Sequence, residues 1–298
     1  MSEKAERRKM LCNICPRKCG IDRAKTKGFC GMGETAVISR AFLHMWEEPC
    51  ISGTRGSGTV FFSGCNLKCI YCQNYEISHT GRGREVTARE LADIFMALRD
   101  KGAHNINLVT PTHFTHVLEE ALKIASPLGI PVVYNTGGYE SVERLRLLEE
   151  QVDVFLPDLK YISPEISREY SGAADYFENA SKAILEMYRQ KGSPIFDNDG
   201  IIKKGVIIRH LVLPGHTSET FRVLDWISAN ISRDAYVSLM SQYVPCNAAC
   251  GHVKLGRRIT RHEYDKAVNK FIRLGLNGYV QDRESASEEY IPDFILDR

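Results

Sequence analysis

Residues Gly58–Asn74 read GTVFFSGCNLKCIYCQN, a short apolar run followed at once by three cysteines in the spacing Cys65-x-x-x-Cys69-x-x-Cys72. Thr59 to Phe62 is β-branched and aromatic, the composition of a buried strand, so the thiols stand on the loop leaving its carboxyl end. A cubane iron–sulfur cluster has four irons and is normally held by four cysteines. Three thiolates on one loop leave one iron open to an external chelator, which is a catalytic arrangement. The structural alternatives are a zinc site, or a closed cluster completed by a distant thiol such as Cys50.

Downstream of this loop, short apolar runs alternate with helical patterns, as in a parallel sheet with crossover helices. Six strands are predicted: Thr59 to Phe62, Ile106 to Val109, Ile130 to Tyr134, Val152 to Leu156, Val206 to Leu213, and Tyr236 to Met240. Thr87 with Glu90 forms a capping box ahead of Leu91, Ile94, Phe95 and Leu98, which share one helical face. A second box, Thr260 with Glu263, opens a carboxyl-terminal helix carrying Tyr264, Ala267, Val268 and Phe271. Six βα units fall short of the eight of a closed barrel, so the expected α/β fold is a partial (βα)6 barrel with a cleft at the strands' carboxyl ends.

Upstream, CNICPRKCGIDRAKTKGFC spaces Cys12, Cys15, Cys19 and Cys30 as four ligands, enough to close a metal site. So polar a segment gains little from burial, and a bound metal would supply the missing stability. Zinc and an iron–sulfur cluster both suit four thiolates. The expected division is a metal-binding segment over residues 1–52 and a barrel with its helical extension over 53–298. Cys50, Cys246 and Cys250 stand apart and receive no role.

The whole chain has 298 residues, 43% hydrophobic and 26% charged, with a net charge of +2. That balance implies no polyanionic partner, so nucleic acid is not expected. The basic run Arg257, Arg258, Arg261 and His262 reads as a solvated helix start. No apolar run approaches the roughly 18 residues of a membrane span. With the polar opening MSEKAERRKML and seven of the ten cysteines grouped for metal, this points to the cytoplasm.

The stretch CNLKCIYC, with aromatic Tyr71 before the third cysteine, resembles the signature of radical S-adenosylmethionine enzymes. CPRKCG, LHMWEEPCISG and GSGTVFFSGC together resemble the PflX-like branch, related to the pyruvate formate-lyase activating enzyme. The resemblance implies a 4Fe–4S cluster whose open iron chelates S-adenosyl-L-methionine, reductive cleavage to a 5′-deoxyadenosyl radical, and hydrogen abstraction from a substrate. It implies cofactor contacts at Tyr71, near the adenine, and at Lys160, facing the methionine carboxylate.

At the strand ends, Thr110-Pro111-Thr112-His113 takes the place of the superfamily's Gly-Gly-Glu motif, and Asn135-Thr136-Gly137 and Asp158-Leu159-Lys160 resemble activating-enzyme motifs. Arg209 and His210 lie on one strand, on opposite faces by alternation. Leu213-Pro214-Gly215 is similar to the family's Val-Pro-Gly, whereas Gln242-Tyr243 departs from its tyrosine-histidine pair. Expected cofactor-binding residues are thus Tyr71, Thr110, Asn135, Lys160 and Arg209. Expected partners are a flavodoxin or ferredoxin as reductant and a protein or peptide substrate. The alternative is a non-enzymatic iron–sulfur electron-transfer or metal-stabilised binding protein.

Overall fold

A computed structural model describes residues 11–232 and 234–281. The polar opening up to Met10 and the end of the expected helical extension from residue 282 lie outside the described residues.

The amino-terminal cysteine segment leads into β1 (Ala36–His44), a short helix α1 (Pro49–Ser52) and β2 (Ser57–Phe62), the strand that carries the triad. Beyond the triad come α2 (Tyr75–Ser78), β3 (Arg84–Val86) and α3 (Ala88–Asp100). The alternation then runs β4 (Ile106–Val109), α4 (Thr115–Ala125), β5 (Val132–Thr136), α5 (Val142–Leu147) and β6 (Val154–Pro157). After α6 (Pro164–Ser171), α7 (Tyr176–Lys191) and β7 (Ile195–Phe196) it resumes with β8 (Ile202–Leu211), α8 (Thr217–Asn230) and β9 (Tyr236–Met240). The last elements are α9 (Arg261–Arg273) and β10 (Asn277–Val280).

Strands β2, β4, β5, β6, β8 and β9 are parallel neighbours in that order, and they coincide with the six predicted strands within a few residues. The sheet is extended at both ends. β10 adds a parallel strand beyond β9, while β1 pairs antiparallel with β2 from Ile38 opposite Phe62 to His44 opposite Ser57, and β3 pairs with β1. Residues 36–44 therefore hydrogen-bond into the barrel sheet itself. The sheet is curved, because residues of β2, β4, β5, β8 and β9 line one cleft of about 250 Å³. Neighbouring strands lie about 4.8 Å apart, so in a flat sheet β2 and β9 could not face one another across so small a space.

Both capping boxes form, Thr87 with Glu90 and Thr260 with Glu263, and the buried faces of α3 and α9 are the predicted ones for Leu91, Phe95, Leu98, Tyr264, Ala267 and Phe271. At the other end of the barrel, α1 works as a plug. Its Cys50 and Ile51 pack with Val133, Val154, Leu156, Ile202 and Ile207. Cys50 is thus walled into this apolar cluster rather than standing beside the triad. The plug also carries the preceding acidic pair, Glu47 and Glu48, into the barrel interior.

Candidate active site

The triad loop is held from three sides. The Ser63 amide donates to the Val37 carbonyl of β1, and the Gly64 amide to Ile77 in α2. On the far side, the Lys68 and Ile70 amides donate to the Ser171 and Tyr170 carbonyls at 3.2 and 2.9 Å. Those carbonyls belong to the last turn of α6, which has no helical partner for them, so loop and helix end satisfy one another. Gly64 has φ +80°, and a Cβ there would come within 2.7 Å of the Cys30 carbonyl oxygen. Only glycine lets the triad loop run this close to the amino-terminal cysteine segment.

Each triad sulfur has a hydrogen-bonding neighbour: the Leu67 amide for Cys65 at 3.4 Å, the Ser171 hydroxyl for Cys69 at 3.0 Å and the Ser78 hydroxyl for Cys72 at 3.3 Å. Burial pushes the Cys65 thiol up to about 12 and Cys72 to about 11, and repulsion among the three sulfurs adds to it. Three neighbouring thiols, Cys69 buried and Cys65 and Cys72 partly so, that resist ionising together suit a polycationic iron core, which would displace their protons and supply the opposite charge. In a cubane each thiolate binds a different iron, so the ligands need not gather round one point. Among the described residues no three His, Cys, Asp or Glu side chains gather tightly enough for a single metal ion.

Cys65, Cys69, Cys72, Tyr71, Thr110, Asn135, Lys160 and Arg209 all line the same cleft. Thr110 closes β4 with φ +60°, rare for a β-branched residue, and its amide donates to the Asn135 carbonyl at 2.9 Å. Lys160 is not a solvated surface lysine. Its Nζ lies 2.5 Å from Asp158 Oδ2, with 18% of the lysine side chain and 15% of the aspartate exposed. Burial works against both charges, but the Arg209 and Lys160 cations hold the Asp158 carboxyl below the usual carboxylate range, and Asp158 and the Cys69 sulfur hold the lysine up. Arg209 donates from Nε to Asp158 at 2.8 Å and from its other arm to Asn135 Oδ1 at 2.7 Å. A network spanning β5, β6 and β8 therefore fixes the cationic end of the cleft.

Gly138 makes this approach of strands possible, for with φ +83° its Cβ would fall 2.2 Å from the Asp158 carbonyl oxygen. Arg209 and His210 do point to opposite faces. His210 is buried outside the cleft between the Leu159 carbonyl and Thr220, an ordinary packed histidine.

Sequence reading missed Glu47, which enters the cleft floor from the plug and accepts from Asn107 at 3.1 Å, Asn135 at 3.3 Å and Arg209 at 3.5 Å. Burial raises its carboxyl, with Arg209 opposing. Nothing local in MWEEP marks it, because its partners are 60 to 162 residues away. Behind the cleft Glu140, also missed, accepts from the hydroxyls of Thr112, Thr136 and Tyr134, tying the loops after β4 and β5 together. Burial pushes it up to about 7.

The amino-terminal cysteines fold back on themselves, with the Cys12 amide donating to Ile21 and the Gly20 amide to Cys12. Cys12, Cys15 and Cys30 are buried and Cys19 is partly exposed. The Cβ position built at Gly28 lies 3.5 Å from the Cys19 sulfur and 3.6 Å from that of Cys30. Cys246 and Cys250 sit on the loop after β9, whose Ala249 amide donates to Ile70 of the triad loop.

A larger depression of about 830 Å³, lined by Arg55, His104, Lys123, Asp153 and Lys203, opens at the amino-terminal end of the strands. It contains no thiol, and parallel α/β sheets bind ligands at the opposite end, where the triad lies.

The family model described as the radical SAM superfamily matches residues 59–227. An uncharacterized protein of Methanocaldococcus jannaschii is 34% identical over 267 residues, covering 86% of this chain and 73% of that protein. The pyruvate formate-lyase-activating enzyme of Clostridium pasteurianum is 25% identical over 242 residues, 77% of this chain and 84% of the enzyme. Among solved structures, Streptococcus suis SuiB bound to its precursor peptide SuiA superposes with a TM-score of 0.51 at 15% identity, over 78% of this chain and 51% of SuiB. This chain thus spans about half of SuiB, and the likeness is one of fold.

Proposed function

This chain belongs to the radical S-adenosylmethionine superfamily, and on that premise we propose that Cys65, Cys69 and Cys72 hold a 4Fe–4S cluster beside S-adenosyl-L-methionine in the cleft, for hydrogen abstraction from a protein or peptide. The observation that carries the reading is the gathering of all three thiols with Tyr71, Thr110, Asn135, Lys160 and Arg209 in one cleft. Together the cluster and S-adenosylmethionine supply a 5′-deoxyadenosyl radical when reduced by one electron.

The protein's part is to bind, orient and shield. Lys160 keeps its proton, held by Asp158, and presents a cation that fits the methionine carboxylate. Asn135 is locked by Arg209 and Glu47, so its amide cannot swing. Phe61, Val109, Leu211 and Met240 give the cleft apolar walls that exclude water from a reactive radical.

The same reading assigns Cys12, Cys15, Cys19 and Cys30 to a second metal, zinc or an iron–sulfur cluster, whose binding would have to draw together sulfurs that do not by themselves gather tightly enough for a single ion, and the reductant to a flavodoxin or ferredoxin in the cytoplasm. Among the described residues no helix is long and apolar enough to cross a membrane. A glycyl-radical enzyme, on which this chain would act as activase, is the substrate class favoured by similarity to the Clostridium protein.

The test is anaerobic reconstitution with iron and sulfide, reduction with dithionite, addition of S-adenosylmethionine, and mass detection of 5′-deoxyadenosine. Slow formation of that product without substrate is expected. An intact, reducible cluster that binds S-adenosylmethionine yet yields none would leave an electron-transfer protein as the better reading.

A further inference from the structure

We infer that Ser171 is a positioning residue that raises the reduction potential of the triad cluster, as the last link of a buried hydroxyl chain running from Tyr71 through Tyr161 to Cys69. The inference rests on the proposed cluster at Cys65, Cys69 and Cys72. Ser171 Oγ lies 3.0 Å from Cys69 Sγ, Tyr161 Oη lies 3.1 Å from Ser171 Oγ, and the Tyr71 and Tyr161 hydroxyls are hydrogen-bonded to one another. All four are buried: Ser171 is 0% exposed, Tyr161 1%, Tyr71 6% and Cys69 9%.

The chemistry of the end group orients the chain. A thiolate bound to iron has lone pairs and no proton, so the Ser171 hydroxyl must donate to it. Ser171 then accepts from Tyr161, and Tyr161 from Tyr71. Ser171 and Tyr161 thus each have a donor behind them, and polarisation along such a chain strengthens the final bond to sulfur. A hydrogen bond to a ligand sulfur stabilises the added electron of a reduced cluster, which makes the potential less negative.

Its placement is built into the backbone. The Ser171 carbonyl accepts from the Lys68 amide and that of Tyr170 from the Ile70 amide, so the two residues flanking Cys69 are stitched to the end of α6. The donor to Cys65 is its own loop two residues on, and the donor to Cys72 is six residues on. The donor to Cys69 comes from 102 residues away and depends on docking of α6 against the loop. Tyr71, at the head of the chain, lines the cleft, so the chain joins the cofactor's wall to a ligand sulfur.

The experiment is an anaerobic redox titration of the full-length reconstituted protein followed by electron paramagnetic resonance, without S-adenosylmethionine. The triad signal is identified as the one missing from the combined Cys65→Ala, Cys69→Ala, Cys72→Ala variant. Ser171→Ala is expected to keep wild-type iron and sulfide while its midpoint becomes more negative by about tenfold in the reduction equilibrium, about 59 mV for one electron. Tyr161→Phe is expected to shift the same way by less, and Ser171→Thr to restore the wild-type midpoint. A fully clustered Ser171→Ala protein titrating with the wild type overturns the inference. If Ser171→Ala fails to assemble, Tyr161→Phe decides, and an unchanged midpoint there overturns it equally. Lack of any triad-dependent signal in the wild type would instead overturn the cluster assignment beneath it.

Discussion

Arg17 Nε donates to the Asn66 carbonyl across 2.8 Å, joining the loop between Cys15 and Cys19 to the residue that follows Cys65. Its other arm donates to the Gly172 carbonyl at 2.7 Å, and the guanidinium lies 3.8 Å from the Phe29 ring centre. One side chain therefore bridges the amino-terminal cysteine segment, the triad loop and the end of α6.

Arg17→Met should loosen that segment and cost about 1.5–3 kcal/mol, the range for hydrogen bonds made by a charged group. Arg17→Lys should not rescue it, because an ammonium on a flexible stem lacks the planar fork that reaches both carbonyls. Thermal unfolding of the reconstituted protein, with proteolysis of residues 11–35 as the local readout, checks both. Equal stability of all three proteins would show that the bridge contributes nothing.

Cys65→Ala, Cys69→Ala and Cys72→Ala should each abolish the oxygen-sensitive cluster, since two thiolates cannot retain a cubane in place of three. The variant lacking all three should still bind stoichiometric zinc or iron at Cys12, Cys15, Cys19 and Cys30. Metal analysis after anaerobic purification settles each point. A metal-free triple variant would argue against the second site.

Lys160→Ala should weaken S-adenosylmethionine binding about tenfold, about 1.4 kcal/mol, while leaving iron and sulfide content unchanged. Because the Lys160–Asp158 pair is mostly buried, salt should screen this contact only weakly in the wild type. Equilibrium binding at low and high ionic strength measures both effects. Wild-type affinity in the variant would remove Lys160 from the cofactor site.

Glu140 gives a pH signature. Its carboxyl is raised in the fold from 4.5 to about 7, chiefly by burial, with the Thr112, Thr136 and Tyr134 hydroxyls opposing. A raised acid favours the protonated form, so its stabilising contribution is complete below about pH 4.5 and is lost as pH climbs through 7. At about 1.4 kcal/mol per unit the loss is on the order of 3 kcal/mol. Glu140→Gln should flatten that slope and be the more stable protein at pH 8, with little difference at pH 5. Denaturant unfolding at both values reads it directly, and parallel slopes for the two proteins would contradict the assignment.

What the sequence determined by itself was whatever is encoded by near neighbours. The Cys65, Cys69, Cys72 spacing, the two capping boxes and the six barrel strands all arise from residues within one loop, one turn or one run, where chain connectivity already dictates distance. β1, β3, β7 and β10 escaped that reading. β1 has a mixed burial pattern, β3 and β7 are three and two residues long, and β10 is a largely exposed edge containing Gly278. Each is a strand because a neighbour pairs with it, not because of its own periodicity.

Only the tertiary structure decided what the triad is surrounded by. Glu47 meets Arg209 across 162 residues, Ser171 meets Cys69 across 102, and Arg17 meets Asn66 across 49. Lys160 showed the same division in one residue: its place at the end of a strand was legible, but its burial against Asp158 was not. Contacts of that kind are selected by closure of the curved sheet and docking of α6. Hydrogen-bond and charge complementarity at such separations leaves no periodic trace in the chain, because any residue brought there by the fold can supply the partner.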